Sequence, residues 1–334
     1  MITANNPSAQ HKSWQMLWRE AVRDPRELLN MLALPHLAVR ISDQAAAQFP
    51  LRVPMGFVAK MRSGDANDPL LRQVLPVIDE DQLAEGFSLD AVGDAAAKGG
   101  TGVIHKYHAR ALLITTGSCA IHCRYCFRRH FPYAEETAAS SRWSEAIGYL
   151  ESDTSITELI LSGGDPLSLS TGKLKELTDQ LAEIPHIKRL RIHTRLPVVL
   201  PERIDDELLR WIEGLRWPLA IVMHANHANE LGPDVAEAIT KLKLRNVIVL
   251  NQAVLLKGVN DSIAEQNRLS EQLFDIGVLP YYLHQLDKVQ GAAHFQIGDQ
   301  QARDIHSGMM KALPGYLVPK LVREISGEAS KTPL

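Results

Sequence analysis

The sequence predicts an α/β protein built on an open, partial (β/α)6 barrel. Apolar, β-rich segments recur along the chain, and stretches of helical periodicity separate them. Strand–helix units with a period of about 30 residues are typical of a parallel sheet. The segments also end in polar residues, as the strands of barrel enzymes do where they carry an active site. These observations predict both the architecture and the side of the barrel that holds the function.

Residues 1–105 show a different pattern, which predicts a helical N-terminal region packed on the barrel. Short helices are expected over Trp14–Val22, Pro25–Leu32 and Asp43–Phe49. Prolines follow the second and third of these stretches, and proline cannot continue a helix.

Residues 106–313 carry the predicted barrel. Its strands are expected over Ala111–Gly117, Ile156–Gly164, Ile187–Arg195, Pro218–Asn226, Val247–Leu255 and Leu279–Asp287. Leucine and isoleucine recur at helical spacing between these segments, which predicts the buried faces of the connecting helices. A last helix is expected at about Asp299–Leu313, and residues 314–334 form a C-terminal tail.

Composition and charge exclude several classes of protein. The 334 residues are 45% hydrophobic with a net charge of −3, which gives no support for a nucleic-acid role resting on a broad basic surface. No stretch approaches the roughly 18–20 apolar residues of a membrane span, and the N-terminus lacks a secretory signal pattern. Unpaired thiols favour a reducing compartment, so we expect a cytoplasmic protein.

The cysteines indicate a metal cluster. All three occur in one run, Cys119, Cys123 and Cys126, with C-x3-C-x2-C spacing. Three thiolates from one loop can hold three irons of a [4Fe–4S] cube and leave the fourth iron open to a small molecule. An odd number of cysteines at this spacing disfavours a disulfide framework. Zinc, with His122 or His130 as the fourth ligand, stays open on spacing alone.

The polar ends of the predicted strands form the expected functional face. They are Ser118–Cys119, Ser162–Asp165, His193–Arg195, His224–His227, Asn251–Gln252 and His284–Asp287. One such end is compatible with a capped loop, but six together indicate an active face. Within them, Gly163 and Gly164 permit positive φ and close approach of the backbone to a ligand.

The cysteine spacing, with Tyr125 just before the last cysteine, resembles the cluster loop of the radical S-adenosylmethionine (SAM) enzymes. Gly163, Gly164 and Asp165 follow the next strand and resemble the SAM-binding Gly-Gly motif of that family. The resemblance implies that the open iron binds SAM and that reductive cleavage yields a 5′-deoxyadenosyl radical. It also implies an electron donor such as flavodoxin or ferredoxin.

From about residue 100 onward the chain resembles the lysine 2,3-aminomutase family, radical SAM enzymes that also use pyridoxal phosphate (PLP). The matching stretches keep their order and spacing: Cys119–Arg129, Leu161–Leu167, Thr194–Pro201, His224–His227, Asn251–Gln252, Val254–Asp261, Pro280–Tyr282 and Lys331–Pro333. The substrate implied is L-lysine, whose amino group moves from Cα to Cβ to give (R)-β-lysine.

The resemblance implies a role for residues at the PLP end of the site. Lys331 matches the lysine that forms the Schiff base with PLP, and the tail that carries it must then fold over the barrel mouth. Lys106 and Arg110 match basic residues of the PLP-phosphate region. His224 and Gln252 match positions of the cofactor pocket.

The resemblance also implies how substrate is held. Arg128 matches the arginine that pairs with the α-carboxylate, and Asp287 matches one of two acidic residues that hold the ε-ammonium. The second acidic position is Glu324, where the family has aspartate, so the charge is kept and the reach grows by one methylene. Two carboxylates at the side-chain end disfavour an anionic substrate such as glutamate, which is one alternative. A non-catalytic Fe–S or zinc protein is the other.

Two further features resemble a short branch of the family. The chain stops three residues after Lys331, where longer members continue into a zinc-binding extension, and Ser262 stands where an interfacial cysteine is expected. We therefore expect any homo-oligomer to lack inter-subunit zinc. The short branch is associated with β-lysylation of elongation factor P, which implies a β-lysine ligase and that factor as partners.

Overall fold

A ten-stranded sheet forms the centre of the protein, and its strands lie side by side in chain order. The computed structural model describes residues 12–136 and 143–334. The strands are β1 Lys98–Gly100, β2 Val103–Tyr107, β3 Arg110–Thr116, β4 Glu158–Gly163, β5 Arg189–Thr194, β6 Leu219–Met223, β7 Ile248–Leu255, β8 Leu279–Gln285, β9 Lys320–Arg323 and β10 Thr332–Pro333.

Strands β3 to β9 are parallel, and β1, β2 and β10 pair antiparallel at the two edges. The first and last strands do not pair with each other, so the sheet stays open. The predicted fold class, a partial α/β barrel, is therefore confirmed, and each predicted strand corresponds to one of β3 to β8. Strand β9 adds one more parallel strand from within the predicted tail.

The described helices cover the chain between the strands and the N-terminal region. They are α1 Trp14–Arg19, α2 Pro25–Met31, α3 Asp43–Gln48, α4 Met55–Val58, α5 Pro69–Arg72, α6 Tyr133–Glu136, α7 Trp143–Ser152, α8 Thr171–Ala182, α9 Leu196–Val199, α10 Asp206–Glu213, α11 Pro233–Lys243, α12 Ile263–Asp275 and α13 Asp299–Ala312. Short 3-10 turns join several of them. No helix in this part of the chain is long and apolar enough to cross a membrane.

The helices begin where the sequence supplies a cap. The Ser170 hydroxyl accepts from the Lys173 amide at the start of α8, and Asp205 caps α10 in the same way. Ser262, noted above as the substitute for a cysteine, caps α12 through the Glu265 amide. Each of these helices buries an apolar face, such as Leu174, Leu177 and Leu181 of α8, in the core shared with the strands.

The end of the predicted helical region is sheet rather than helix. Val103 and Ile104 in β2 pair with Leu113 and Leu112 in β3, and a tight turn with Ala109 at φ +64° joins the two strands. The cause is tertiary, because β2 pairs the backbone N–H and C=O groups that would otherwise be exposed along the edge of β3. Strand β2 therefore crosses the boundary expected at residue 105. The division of the chain into three regions remains a prediction.

Buried charges attach the N-terminal region to the cysteine loop. Arg124 and Arg129, on that loop, donate to the Glu80 carboxylate at 2.6 and 2.7 Å, and all three side chains are almost fully buried. Arg124 also donates to the carbonyl oxygens of Phe49 and Ala45. Since a buried charge without its partner is costly, this cluster holds the loop firmly on α3 and its surroundings.

Candidate active site

A cavity of about 240 Å³ opens toward the C-terminal ends of the parallel strands. Every residue that the sequence analysis assigned to the site lines it: Lys106, Arg110, Cys119, Cys123, Tyr125, Cys126, Arg128, Gly163, Gly164, Asp165, His224, Gln252, Asp287, Glu324 and Lys331. These residues come from β2 through the C-terminal tail, so only the curved arrangement of successive strands brings them to one space.

The three thiols are free and half-buried in the loop after β3. Burial, together with neighbouring thiols, raises the pKa of Cys119 well above its ordinary value and that of Cys126 to about 11. Such thiols need a nearby positive charge to ionise, and iron would supply one. Three sulfurs on one loop facing a cavity fit a [4Fe–4S] cluster with one iron open to that cavity.

Each of the two histidines that could supply the fourth zinc ligand contacts a backbone carbonyl through one ring nitrogen. His122 Nδ1 lies 2.6 Å from the Pro50 oxygen, and His130 Nε2 lies 3.1 Å from the Gln290 oxygen. Among residues 12–136 and 143–334, no group of three or more His, Cys, Asp or Glu side chains is arranged to hold a metal ion. The ligands of a cube bind separate irons, so they need not converge on one point.

The glycine pair brings the end of β4 against the cysteine loop. Gly163 has φ +119°, and a Cβ there would lie 2.5 Å from the Thr116 carbonyl oxygen. A Cβ on Gly164 would lie 2.5 Å from the carbonyl oxygen of Ser118. The amides of Gly164 and Asp165 donate to these same two oxygens. The absence of a side chain at both positions therefore lets the end of β4 pack directly against the start of the cysteine loop.

Gly163→Ala is expected to lower the free energy of unfolding by about 2–4 kcal/mol, because it adds steric overlap to an unfavourable φ. Gly172→Ala, in the first turn of α8 where a Cβ meets nothing within 4 Å, is the matched control. It should be neutral or stabilising by up to about 1 kcal/mol. Urea unfolding of the cofactor-free protein measures both. Equal stability of the two variants would contradict the close approach at Gly163.

Asp165 lines the cavity, but its carboxylate already accepts hydrogen bonds from other protein groups. It accepts from the Thr194 hydroxyl at 2.6 Å and from the amides of Leu167, Arg195 and Leu196. Burial raises its pKa to about 6, although these hydrogen bonds oppose the shift. Asp165 thus ties the end of β4 to the end of β5, and its role toward a cofactor remains a prediction.

Asp94 is a site residue that the sequence analysis missed. Its buried carboxylate lies 2.6 Å from Lys106 Nζ and 2.7 Å from Arg128 Nε. Burial alone would raise the pKa of Asp94, but Arg128 and Lys106 hold it below its ordinary value. The Asp94 carboxylate therefore holds both Lys106, which the family resemblance assigns to the PLP phosphate, and Arg128, which it assigns to the substrate carboxylate. No motif marks Asp94 in the sequence, since its segment is irregular and its partners lie elsewhere in the chain.

The tail folds back and brings Lys331 into the cavity. Strand β10 pairs with β9, and Gly327 in the intervening turn has φ +86°. Lys331 Nζ lies 2.6 Å from Glu324 Oε2 and over the ring of Tyr282. The other oxygen of Glu324 accepts from the hydroxyl of Tyr107 at 2.7 Å.

Glu324 and Asp287 differ in their surroundings. Burial would raise the pKa of Glu324, but Lys331, Tyr107 and Lys106 together hold it below its ordinary value. Burial raises the pKa of Asp287 to about 7, although Lys331 opposes the shift. Unlike Glu324, the Asp287 carboxylate forms no hydrogen bond or ion pair with the described residues. It is therefore the acidic group available to a bound cation.

Neutral imidazoles line the middle of the cavity. Burial lowers the pKa of His224 to about 3 and those of His193 and His284 well below the ordinary value. His224 Nε2 lies 2.8 Å from Gln252 Nε2, which joins the two residues predicted for the cofactor pocket. The Nε2 atoms of His193 and His284 have no partner in the described structure. The sequence placed both histidines on the active face but assigned them no role.

Comparison with known proteins decides the family. Residues 100–192 match a family of 4Fe-4S single cluster domains. The L-lysine 2,3-aminomutase of Escherichia coli is 47% identical over 335 aligned positions, which cover 100% of this chain and 97% of that protein. The chain belongs to the lysine 2,3-aminomutase family. The enzyme of the same name from Haemophilus influenzae is 46% identical and covers 97% of this chain and 96% of its own.

Membership in this family makes the protein an enzyme of the isomerase class, as predicted, and rules out the non-catalytic alternative. Lysine 2,3-aminomutases use a [4Fe–4S] cluster, SAM and PLP, so the predicted cofactor set is confirmed. Among solved structures, a radical SAM methyltransferase from Sphaerobacter thermophilus aligns with a TM-score of 0.47 at 18% identity and covers 66% of this chain and 68% of its own.

Proposed function

We propose that this lysine 2,3-aminomutase homologue converts L-α-lysine into (R)-β-lysine in the cytoplasm. The observation that carries the proposal is the cavity itself, because one space holds the thiols, the Lys331 amine and the Asp287 carboxylate, which has no partner among residues 12–136 and 143–334. Relatives of nearly the same length, named for this activity, support it. When bound, the cluster with SAM supplies a radical, and PLP supplies the π-system for the amino shift.

At the cluster end, Cys119, Cys123 and Cys126 hold three irons. Gly163 and Gly164 leave the backbone at the end of β4 open to SAM, and Tyr125 packs at the edge of the loop. The required electron comes from a flavodoxin- or ferredoxin-type donor. The apolar part of the cavity wall, including Val199 and Val254, keeps water from the radical.

At the other end, Lys331 would hold PLP through its amine, and Lys106 and Arg110 would hold the phosphate. The amine can react only when it is neutral, so Lys331 must first lose a proton. Glu324 Oε2 lies 2.6 Å from Lys331 Nζ and is the base nearest to that proton. Glu324 thus holds the Lys331 ammonium in place before the amine reacts.

Substrate lysine lies between these ends. Arg128, fixed by Asp94, pairs with the α-carboxylate, and Asp287 with Glu324 holds the ε-ammonium. Glu324 already contacts Lys331 and Lys106, so Asp287 makes the larger contribution to recognition of the ammonium. The same carboxylates would repel the side chain of glutamate, which is why we favour lysine.

Asp287→Asn is expected to weaken lysine binding by about 2–5 kcal/mol, because it leaves the ammonium without its charged partner. The parent enzyme should also depend on pH. Asp287 is protonated below about pH 7 and ionised above it, so KM for lysine should fall about tenfold between pH 6 and pH 8. The variant should lose this dependence while keeping the pH effects that arise from lysine itself. A parent KM that rises over this range would contradict the assignment.

The proposal is tested by anaerobic incubation of reconstituted enzyme with L-lysine, SAM, PLP and dithionite, followed by chiral analysis of the product. We expect (R)-β-lysine in the presence of all components and none without PLP. Faster turnover of glutamate than of lysine would overturn the choice of substrate.

We further propose that the product serves a β-lysine ligase that modifies elongation factor P. The support is the resemblance to the short branch and the near-equal length of the two most similar relatives reported above. Adding the ligase, ATP and elongation factor P to the assay should raise the mass of the factor by one lysyl group. If α-lysine is attached equally well without the aminomutase, the coupling is wrong.

A further inference from the structure

Arg195 is a buried cation beside the cysteine loop that no step above uses. It follows β5, and its side chain is 7% exposed. Its Nη1 atom lies 2.6 Å from Cys123 Sγ and 2.7 Å from the hydroxyl oxygen of Tyr125. A guanidinium cannot lose its proton in a protein, so a permanent positive charge donates to the sulfur of one cluster ligand.

A second set of contacts fixes the position of this guanidinium. Its Nη2 atom donates to Glu230 Oε2 at 2.9 Å and to Gln73 Oε1 at 2.7 Å. Glu230 is fully buried, and its other oxygen accepts from Gln73 and from the amides of Asn226 and His227. Residues from three parts of the chain thus hold Arg195 against Cys123.

We infer that Arg195 sets the reduction potential of the cluster through its hydrogen bond to Cys123, and that Glu230 positions Arg195 and moderates its charge. The inference rests on the proposed cluster. Reduction adds one electron, supplied by the external donor, to a cluster whose thiolate ligands are already negative. A fixed cation and an N–H donor stabilise the more negative state and so raise the potential. Arg195 keeps its protons throughout, and it is a positioning residue rather than a catalytic one.

A purely structural role for Arg195 predicts a different experimental result. Arg195 also joins the end of β5 to Gln73 of the N-terminal region, so its removal will cost stability in any case. A structural clamp, however, has no reason to change the potential of a cluster that still forms. The neighbouring Glu230 separates the two roles, because removing its negative charge should change the potential in the opposite direction.

The test is an anaerobic redox titration of the reconstituted holoenzyme, followed by the EPR signal of the reduced cluster. For Arg195→Gln we expect the equilibrium constant for reduction to fall about tenfold, which is about 59 mV for one electron. For Glu230→Gln we expect it to rise several-fold. Arg203→Gln is the matched control, since Arg203 is equally buried but donates to the carbonyls of Leu167 and Leu169. It should lose stability without a change in potential.

The inference would be overturned if the reduction potential shifted in the same direction in the Arg195 and Glu230 variants, or if it shifted in neither. Iron and sulfide content is measured on each sample beforehand. A parent protein that assembles no [4Fe–4S] cluster would refute the proposed function, whereas a normal cluster with unchanged potentials would refute only the role of Arg195. If Arg195→Gln does not fold, the reduction potential of Glu230→Gln still tests the inference, because the inference requires that potential to rise.

Discussion

Lys331→Ala should abolish aminomutase activity and the absorbance of the PLP adduct while leaving the iron–sulfur cluster intact. The proposed sites of the two cofactors use different residues, because Lys331 lies beside Glu324 in the tail and the thiols lie in the loop after β3. Without the amine, PLP has no covalent bond to the protein and is held only by its phosphate contacts. We expect a loss of at least about a thousandfold in turnover, with cleavage of SAM by dithionite preserved.

Borohydride reduction in the presence of PLP, followed by peptide mapping, tests the same assignment directly. The label should appear on Lys331. Lys288→Ala is the matched control, since Lys288 follows Asp287 but its side chain is exposed and lies against Gly86. That variant should retain both the adduct and the activity. A label on Lys106 or Lys288 would mean that the tail carries no cofactor.

Cys123→Ala should abolish cluster assembly and cleavage of SAM, and Cys119→Ala and Cys126→Ala should do the same. In the proposed cluster each cysteine supplies one corner of the cube, and the cavity offers no replacement thiol, because the sequence has only three cysteines. We expect iron content to fall from about four per chain toward zero and methionine formation from SAM to become undetectable.

His122→Ala is the informative control for the cysteine variants. His122 bonds to the Pro50 carbonyl and stacks on Phe49, so its removal should leave iron content unchanged. If the site were zinc with His122 as the fourth ligand, this variant would lose its metal. Full SAM cleavage by any of the three cysteine variants would refute the cluster assignment.

Much of the barrel was predictable because its signals are local. Apolar runs separated by helical stripes predicted β3 to β8, and capping residues such as Ser170 and Asp205 stand at the helix starts. The strands of the tail were harder to predict from the sequence. Strands β9 and β10 are short, and their pairing depends on the edge of β8 rather than on any pattern of their own.

Prediction of the site residues also depended on whether their signal was local in the sequence. Residues in recognisable stretches, such as the cysteines, the glycine pair and Lys331, were all predicted and all line one cavity. Asp94 and Glu230 were missed, although both are buried against predicted residues or stretches. Asp94 contacts Arg128, 34 positions away, and Glu230 contacts Arg195, 35 positions away.

The sequence by itself determined the alternation of strands and helices, the C-x3-C-x2-C loop and the chemistry that three thiolates can support. These features depend on residues that are neighbours in the sequence, so they can be predicted without the fold. Only the tertiary structure decided which charges meet. It pairs Lys331 with Glu324, leaves Asp287 without a partner in the described part of the chain, and sets Arg195 against Cys123. Those choices depend on burial and on contacts between distant segments, and electrostatic energies change steeply with both.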